Sequence, residues 1–226
     1  MLVPPPVTFQ GGKQRLATAI VEAINPRFSE PFYDLCCGSG AITIEVVRRG
    51  LPVDLVRMAD NGPWGLVWEE VGAGRFSLDA LRRVVAAVPE RVAMQADFLR
   101  ELRKQSVDID TSATFLILQA GAFGGLAVYF DDDGRWSNAN KRGGIRTAWQ
   151  SKDDPRKRTN TLMPCAAEIV RRMQVLCDML SGVTVERGDF ATLAGLQGTV
   201  YIDPPYLGTA GYGRRVVPIY DFTDWA

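Results

Sequence analysis

The segment around residues 31–52 constrains the fold of this 226-residue chain more than any other. Residues 31–37 are mostly apolar and lead into a Gly-Ser-Gly turn, and a helix-favouring stretch follows until Gly50 and Pro52 end it. Two glycines in such a turn let a ligand approach the backbone at the carboxyl end of a first strand, where doubly wound sheets bind ligands. The third glycine of the dinucleotide fingerprint is absent, which disfavours a nicotinamide cofactor. The segment therefore predicts a strand, a turn and a helix of a parallel α/β sheet.

A second apolar segment, residues 55–59, ends in Asp60 and Asn61. An acid at the end of a second strand is placed to bind ribose hydroxyls in nucleoside-binding α/β folds. The alternative is a turn-forming Asp-Asn-Gly sequence. We therefore treat Asp60 as a candidate ligand for a ribose.

A third apolar segment, residues 199–202, runs into the tetrapeptide Asp-Pro-Pro-Tyr. The Asp203 carboxylate can accept a hydrogen bond from a planar amino group, and two prolines without N–H groups make a rigid turn with outward carbonyls. Tyr206 offers a face on which a base can stack. Holding an arylamine in this way withdraws its lone pair from the ring and makes the nitrogen nucleophilic, as methylation of adenine N6 requires. The alternative is an ordinary Pro-Pro strand exit with a capping Asp.

Three of the segments above and Phe-Gln-Gly-Gly-Lys at residues 9–13 form four separated motifs. In their residues and order these motifs resemble those of the Dam-type DNA adenine N6-methyltransferases, which use S-adenosylmethionine. A fifth and weaker match is Gly-Asp-Phe at residues 188–190. This chain has Leu-Cys-Cys after Asp34, where the family more usually has Pro-Phe. The four motifs lie at residues 9–13, 34–40, 59–61 and 203–206. From the first to the last they extend over nearly the whole length of the chain.

The resemblance implies a class I methyltransferase fold, which is a doubly wound, Rossmann-like α/β sheet, with an inserted target-recognition region. It implies direct transfer of a methyl group from S-adenosyl-L-methionine to adenine N6 in DNA, without a covalent enzyme intermediate. The catalytic residues that it implies are Asp203, Pro204, Pro205 and Tyr206. The cofactor-binding residues that it implies are Phe9, Lys13, Asp34, Gly38, Gly40, Asp60, Asp189, Phe190 and Asp203.

Two alternative functions stay open. One is a methyltransferase with the same motif that acts on cytosine N4, although Ser is commoner than Asp at the first motif position for that substrate. The other is an inactive, truncated relative, or half of a split enzyme, that binds DNA or a partner chain.

Residues 115–164 interrupt the alternation of strands and helices where the resembled family inserts its target-recognition region. We therefore expect residues 1–114 and 165–226 to form the catalytic and cofactor-binding domain. An Asp-Gly pair at 133–134, between apolar segments, predicts a β-hairpin within the insertion.

Basic residues are concentrated in the second half of this insertion. The net charge of the chain is zero, yet residues 141–172 hold nine Lys/Arg against three Asp/Glu. Phosphate contacts dominate nonspecific DNA affinity, so this excess favours double-stranded DNA as a partner, the alternative being a solvated loop. The candidate phosphate contacts are Lys141, Arg142, Arg146, Lys152, Arg156, Lys157 and Arg158.

Composition limits the other classes of function. The chain has no histidine, which excludes Ser-His catalysis and histidine-based metal sites, and we expect no metal. No run of about 18 apolar residues exists and the N-terminus does not resemble a signal peptide, so we expect a protein that is neither secreted nor membrane-spanning. Four cysteines without Cys-x-x-Cys spacing indicate reduced thiols and a cytoplasmic location, in a bacterial or phage-like context.

Only twenty residues follow Tyr206, whereas the resembled family continues with further strands. The sheet therefore lacks its C-terminal strands on this interpretation, and the strand before Asp203 becomes an exposed apolar edge. Either the chain is a fragment, or a second chain supplies the missing strands.

Overall fold

The computed structural model describes residues 3–105, 110–131, 134–138, 162–188 and 195–204. The seven α-helices in these ranges are α1 (Ala17–Ile24), α2 (Ala41–Arg48), α3 (Pro63–Gly72), α4 (Leu78–Ala86), α5 (Val92–Leu102), α6 (Thr111–Gly121) and α7 (Ala166–Leu180). The strands are β1 (Phe32–Leu35), β2 (Val56–Ala59), β3 (Val128–Phe130), β4 (Trp136–Asn138), β5 (Thr184–Glu186) and β6 (Thr199–Ile202).

Four of the strands form one parallel sheet in the order β5-β2-β1-β6. Leu35 of β1 lies opposite Ala59 of β2 on one side and Ile202 of β6 on the other. The carboxyl ends of these three strands are therefore level with one another, and the residues that follow them meet at one edge. The predicted α/β class is confirmed, and the sheet is compatible with a Rossmann-like fold. Within the described ranges β6 lies at the edge of the sheet.

Several elements have the predicted bounds. The helical spacing over residues 166–180 predicts α7 with its observed bounds, and β6 spans the apolar segment 199–202. β3 and β4 form the predicted hairpin, with Phe130 opposite Trp136. The spacing of apolar residues over 14–24 predicts a helix from residue 14. The helix begins at Ala17, because the chain first makes a turn that the Leu16 N–H closes on the Lys13 carbonyl at 2.8 Å.

Two other elements differ more from the prediction. The sequence predicts a helix over residues 96–104. The helix spans Val92–Leu102, because Arg91 is its N-cap and the Met94 N–H closes the first turn on the Arg91 carbonyl at 2.8 Å. Residues 115–119, at the expected start of the insertion, lie inside α6, which is buried along its whole length. α6 packs against α3, α4 and α5, so its apolar surface extends around the helix instead of along one face.

The side chains of Phe32, Trp68, Phe115 and Met173 lie in one hydrophobic core between the sheet and the helices. The four cysteines all lie in the described ranges and are present as thiols. In the described part of the chain, none of the helices has the length and apolar character needed to cross a bilayer.

Candidate active site

The glycine turn after β1 contains three residues with left-handed backbone, Cys36 at a φ of +62° and two glycines. Gly38 has a φ of +50° and Gly40 a φ of +72°, which L-residues rarely adopt. A Cβ on Gly38 would lie 3.0 Å from Cε1 of Phe9, and one on Gly40 would lie 2.8 Å from Cζ2 of Trp68. The turn is therefore packed between two aromatic rings, and both positions require glycine for space as well as for conformation.

Trp68 holds the same turn by a polar contact. Its indole Nε1 donates a buried 2.7 Å hydrogen bond to the Gly38 carbonyl. Trp64 lies on top of it, with nearly parallel rings and a centroid distance of 5.9 Å, and makes edge contacts with Phe9 at 5.6 Å and Phe115 at 5.0 Å. The Trp64 Nε1 is buried and has no hydrogen-bond partner within the described residues. Only one of the two indoles therefore fixes the turn.

Asp60, directly after β2, joins the glycine turn to α3. Its Oδ2 accepts a 2.9 Å hydrogen bond from the Gly38 N–H, and its Oδ1 accepts a 2.7 Å bond from the Gly62 N–H. Burial raises the pKa of Asp60 above its usual range, and the bonds from Gly62 and Gly38 oppose that rise. The Gly65 N–H opposes the rise in the same way. A carboxylate has about four lone-pair positions, so these three bonds leave Asp60 able to accept from a hydroxyl as well.

Asp34 lies beneath the turn, within β1, and its side chain is only 1% exposed. One oxygen, Oδ2, accepts from both the N–H of Thr43 at 3.1 Å and its hydroxyl at 2.7 Å. Burial is the main cause that raises the pKa of Asp34 to about 7, with smaller contributions from the charges of Asp203 and Asp60 and against the lowering effect of the two Thr43 bonds. Asp34 therefore fixes the first turn of α2 to the sheet.

Lys13 and Asp203 connect the two ends of the site. The Lys13 ammonium forms an ion pair with Oδ2 of Asp203 and also donates to the Gly11 carbonyl at 3.0 Å. The Lys13 and Asp203 side chains are 23% and 17% exposed, so the pair is largely shielded from water. The N–H of Asp203 lies 3.4 Å from the Leu35 carbonyl, which continues the pairing of β6 with β1. Asp203 is thereby held beside the glycine turn.

The N-terminal segment that carries Phe9 and Lys13 is held by the region after α6. The Gln10 N–H donates to the Gly125 carbonyl at 2.8 Å. The fully buried side chain of Gln119 donates to the carbonyls of Thr8 at 3.3 Å and Gly125 at 3.1 Å, and accepts from the Val128 N–H at 3.0 Å. Gln119 therefore fastens the N-terminal segment to the start of the hairpin.

The sequence analysis missed Gln119 and Trp68. A signal for Gln119 was present, because a single amide in an otherwise apolar stretch must have hydrogen-bond partners when that stretch is buried. No comparable signal marked Trp68, whose role depends on its contact with a turn far away in the sequence.

The structure brings together a large part of the predicted site. Eight predicted residues lie around the carboxyl ends of β1, β2 and β6, namely Phe9, Lys13, Asp34, Gly38, Gly40, Asp60, Asp203 and Pro204. Four lie outside the described residues, namely Pro205, Tyr206, Asp189 and Phe190. The predicted DNA contacts also lie outside them, namely Lys141, Arg142, Arg146, Lys152, Arg156, Lys157 and Arg158. Across the described ranges, no three Cys, Asp or Glu residues are grouped so that they could hold a metal ion.

By its fold the chain is an α/β protein, and the four described strands of its central sheet are parallel. A scan of the chain against models of known protein families finds no match, and a search of the curated proteins finds none either.

Proposed function

We propose that this protein is a DNA methyltransferase of the class I fold, which transfers a methyl group from S-adenosylmethionine to adenine N6. The observation that carries this proposal is the contact between motifs that are far apart in the sequence. Phe9 covers Gly38, Asp60 accepts from the Gly38 N–H, and the Lys13 ammonium pairs with Asp203. Described residues of four motifs that are far apart in the sequence thus contact one another. A chance resemblance of sequence would not require such contacts.

The strand order supports the same conclusion. From β1 the chain winds outward through β2 to β5, and then crosses to the other side of β1 for β6. The direction of winding therefore reverses between β1 and β6. In open α/β sheets, ligands bind in the crevice outside the carboxyl ends of the strands at such a switch point. The glycine turn and Asp203 flank this crevice.

The residues present suit the parts of S-adenosylmethionine. The bare backbone at Gly38 and Gly40 allows close approach, the Asp60 carboxylate suits ribose hydroxyls, and the Lys13 ammonium suits a carboxylate. S-adenosylmethionine supplies an electrophilic methyl group on a sulfonium sulfur when it is bound. The donor set therefore fits the cofactor at both its nucleoside and its amino-acid end.

Asp203 and the Pro204 carbonyl would hold the amino group of the target base. Both accept hydrogen bonds, so together they orient the two N–H groups and leave the nitrogen lone pair directed away from the ring plane. The target adenine has to leave the duplex to reach them, which costs a few kcal/mol. Rate enhancement on this mechanism comes mainly from positioning, and Tyr206 would stack on the extruded base.

The experiment is methylation of genomic DNA that lacks modified bases, with tritiated cofactor, followed by separation of the nucleosides. Such DNA contains any short target sequence, so the target need not be known beforehand. We expect label in N6-methyladenine, and a rate for Asp203→Ala that is below about a tenth of the wild-type rate. Label in N4-methylcytosine would instead favour the cytosine alternative.

Asp178→Ala is the matched control, because Asp178 is an exposed acid on α7 that bonds only weakly to Gln174, at 3.4 Å. It should keep the wild-type rate. Cofactor binding without transfer to any DNA would favour the inactive relative over the enzyme.

A further inference from the structure

The ion pair between Lys13 and Asp203 carries an inference that rests on the proposed function. We propose that Lys13 exchanges Asp203 for the carboxylate of the cofactor, so that cofactor binding releases Asp203 to receive the target amino group. The protein would then bind its two substrates in a fixed order, with the cofactor first.

The pair joins the two residues that the reaction needs in different roles. The Lys13 ammonium contacts Oδ2 of Asp203, and both side chains are mostly buried. Asp203 is the acid proposed to accept hydrogen bonds from the target amino group. While Lys13 is in place, one of the two carboxylate oxygens is already engaged by a charged donor.

This arrangement opposes the proposed chemistry. The attacking nitrogen gains positive charge as its bond to the methyl carbon forms. An ammonium on the same carboxylate would repel that charge, in a partly buried place where water screens it poorly. Asp203 therefore acts best on the amino group after Lys13 has moved away.

Lys13 can move without any change in the fold. Its backbone is fixed by the Leu16 N–H, which donates to its carbonyl at 2.8 Å, and the neighbouring Gly12 N–H donates to the Phe9 carbonyl at 3.0 Å. The four-carbon side chain beyond this anchor is flexible and ends in a compact charge. A rotation of the side chain alone can transfer the ammonium to a second carboxylate nearby.

The cofactor provides such a carboxylate at its amino-acid end. Two other acids at this edge of the sheet, Asp34 and Asp60, have their carboxylates bonded to Thr43 and to backbone N–H groups. The arriving carboxylate would therefore compete with Asp203 for Lys13. Because coupling between two sites is reciprocal, removal of the Asp203 charge should strengthen cofactor binding.

The test is a double-mutant cycle on the affinity for S-adenosylhomocysteine, measured by calorimetry at a pH well above the pKa of Asp34. The four proteins are the wild type, Asp203→Asn, Lys13→Met and the double variant. We expect Asp203→Asn to bind about fivefold tighter than the wild type, since it has no ion pair to break. Lys13→Met should bind more weakly, and Asp203→Asn should give no gain in that background.

The decarboxylated form of S-adenosylhomocysteine, which carries the same uncharged thioether, tests whether the gain depends on the cofactor carboxylate. It lacks the carboxylate, so Asp203→Asn should not bind it more tightly than the wild type does. Thermal unfolding checks that each variant is folded, and Asp203→Ser replaces Asp203→Asn if the latter unfolds. An unchanged or weaker affinity of a folded Asp203 variant for S-adenosylhomocysteine would overturn the exchange alone. No binding of cofactor by the wild type would overturn the proposed function and this inference with it.

Discussion

The indole nitrogen of Trp68 donates a 2.7 Å hydrogen bond to the carbonyl oxygen of Gly38, across thirty positions of sequence. The bond joins α3 to the turn that follows β1. It places a rigid, fully buried side chain directly under the backbone that a cofactor would approach. The shape of the turn therefore depends on α3 as much as on its own glycines.

Trp68→Phe should destabilise the protein more than Trp64→Phe does. Both rings are buried and stacked on each other, so the two substitutions remove similar apolar area. Only Trp68→Phe leaves a buried carbonyl without its donor, which adds about 1–3 kcal/mol to the loss of unfolding free energy. Urea unfolding measures the difference, and equal losses in the two variants would show that the bond to Gly38 contributes nothing.

Gly40→Ala should be far more damaging than Gly124→Ala. Both glycines are in the left-handed region, with φ of +72° and +64°, so alanine costs about 1–2 kcal/mol of backbone strain at either position. A Cβ at Gly124 meets no atom within 4 Å in the described structure, whereas one at Gly40 meets the ring of Trp68 at 2.8 Å. Thermal unfolding of both variants separates backbone strain from steric overlap, and similar melting temperatures would contradict this packing of Trp68 on the turn.

Asp34→Asn should change how stability depends on pH. The folded pKa of about 7 is above the ordinary value of 3.8, so the folded state binds more protons between these two values. The wild type therefore loses unfolding free energy as the pH rises from about 4 to 7, and the loss stays constant above that range. Asn keeps an acceptor for Thr43 and does not ionise, so its stability relative to wild type should rise by on the order of 2–4 kcal/mol across this window. The measurement is the free energy of unfolding of both proteins at pH values below and above this window. A difference between the two proteins that does not change with pH would contradict the prediction.

Glu45→Gln should have the opposite dependence. Glu45 is buried between α1 and α2, and bonds from Arg48 and then Arg49 lower its pKa from 4.5 to about 2. Its contribution to stability is fully present above the ordinary pKa and is lost as the pH falls from 4.5 towards 2. The free energy of unfolding of the wild type should exceed that of the variant by roughly 1–3 kcal/mol at neutral pH. The difference should be small at a pH near the folded pKa of Glu45. Glu101→Gln is the control, because Glu101 forms an exposed pair with Lys104 and should show a small effect at any pH.

Combined replacement of Arg156, Lys157 and Arg158 by Ala should weaken DNA binding equally on all sequences. These residues lie outside the described ranges, so the prediction depends on the basic excess in the sequence alone. The slope of log affinity against log salt should flatten by about one unit for each DNA phosphate that the variant no longer neutralises. A variant with Ala at Arg82, Arg100 and Lys104, which are exposed on α4 and α5 or just after it, removes the same charge elsewhere. An unchanged slope in the first variant would show that its residues face solvent.

Local patterns predicted the elements that have one strong signal. β6 is a short apolar run before two prolines, and α7 has a clear helical period, so both were predicted with the observed bounds. α6 has apolar residues on every side, and a helix of that kind lacks the period by which helices are found. A helical period of apolar residues arises when one face of a helix contacts the core and the other contacts solvent. A fully buried helix has no solvent face and therefore no such period.

The part of the candidate site that lies at the ends of the parallel strands could be predicted from the sequence. Asp60 and Asp203 each follow a parallel strand, so their proximity follows from the sheet once the strand order is known. The ion pair of Lys13 with Asp203 and the bonds of Gln119 do not follow in that way. They depend on the path of a segment outside the sheet, which no local pattern encodes.

The bonds of Gln119 also bear on when the site forms during synthesis. Gln119 lies 111 positions after Thr8, the residue whose carbonyl it binds. A ribosome adding about 5–20 residues per second needs on the order of ten seconds to cover that distance. Throughout this interval the segment with Phe9 and Lys13 lacks Gln119, the side chain that later holds it. Closing so long a loop is entropically costly, so the segment should dock late, after the helices that it rests on have already formed.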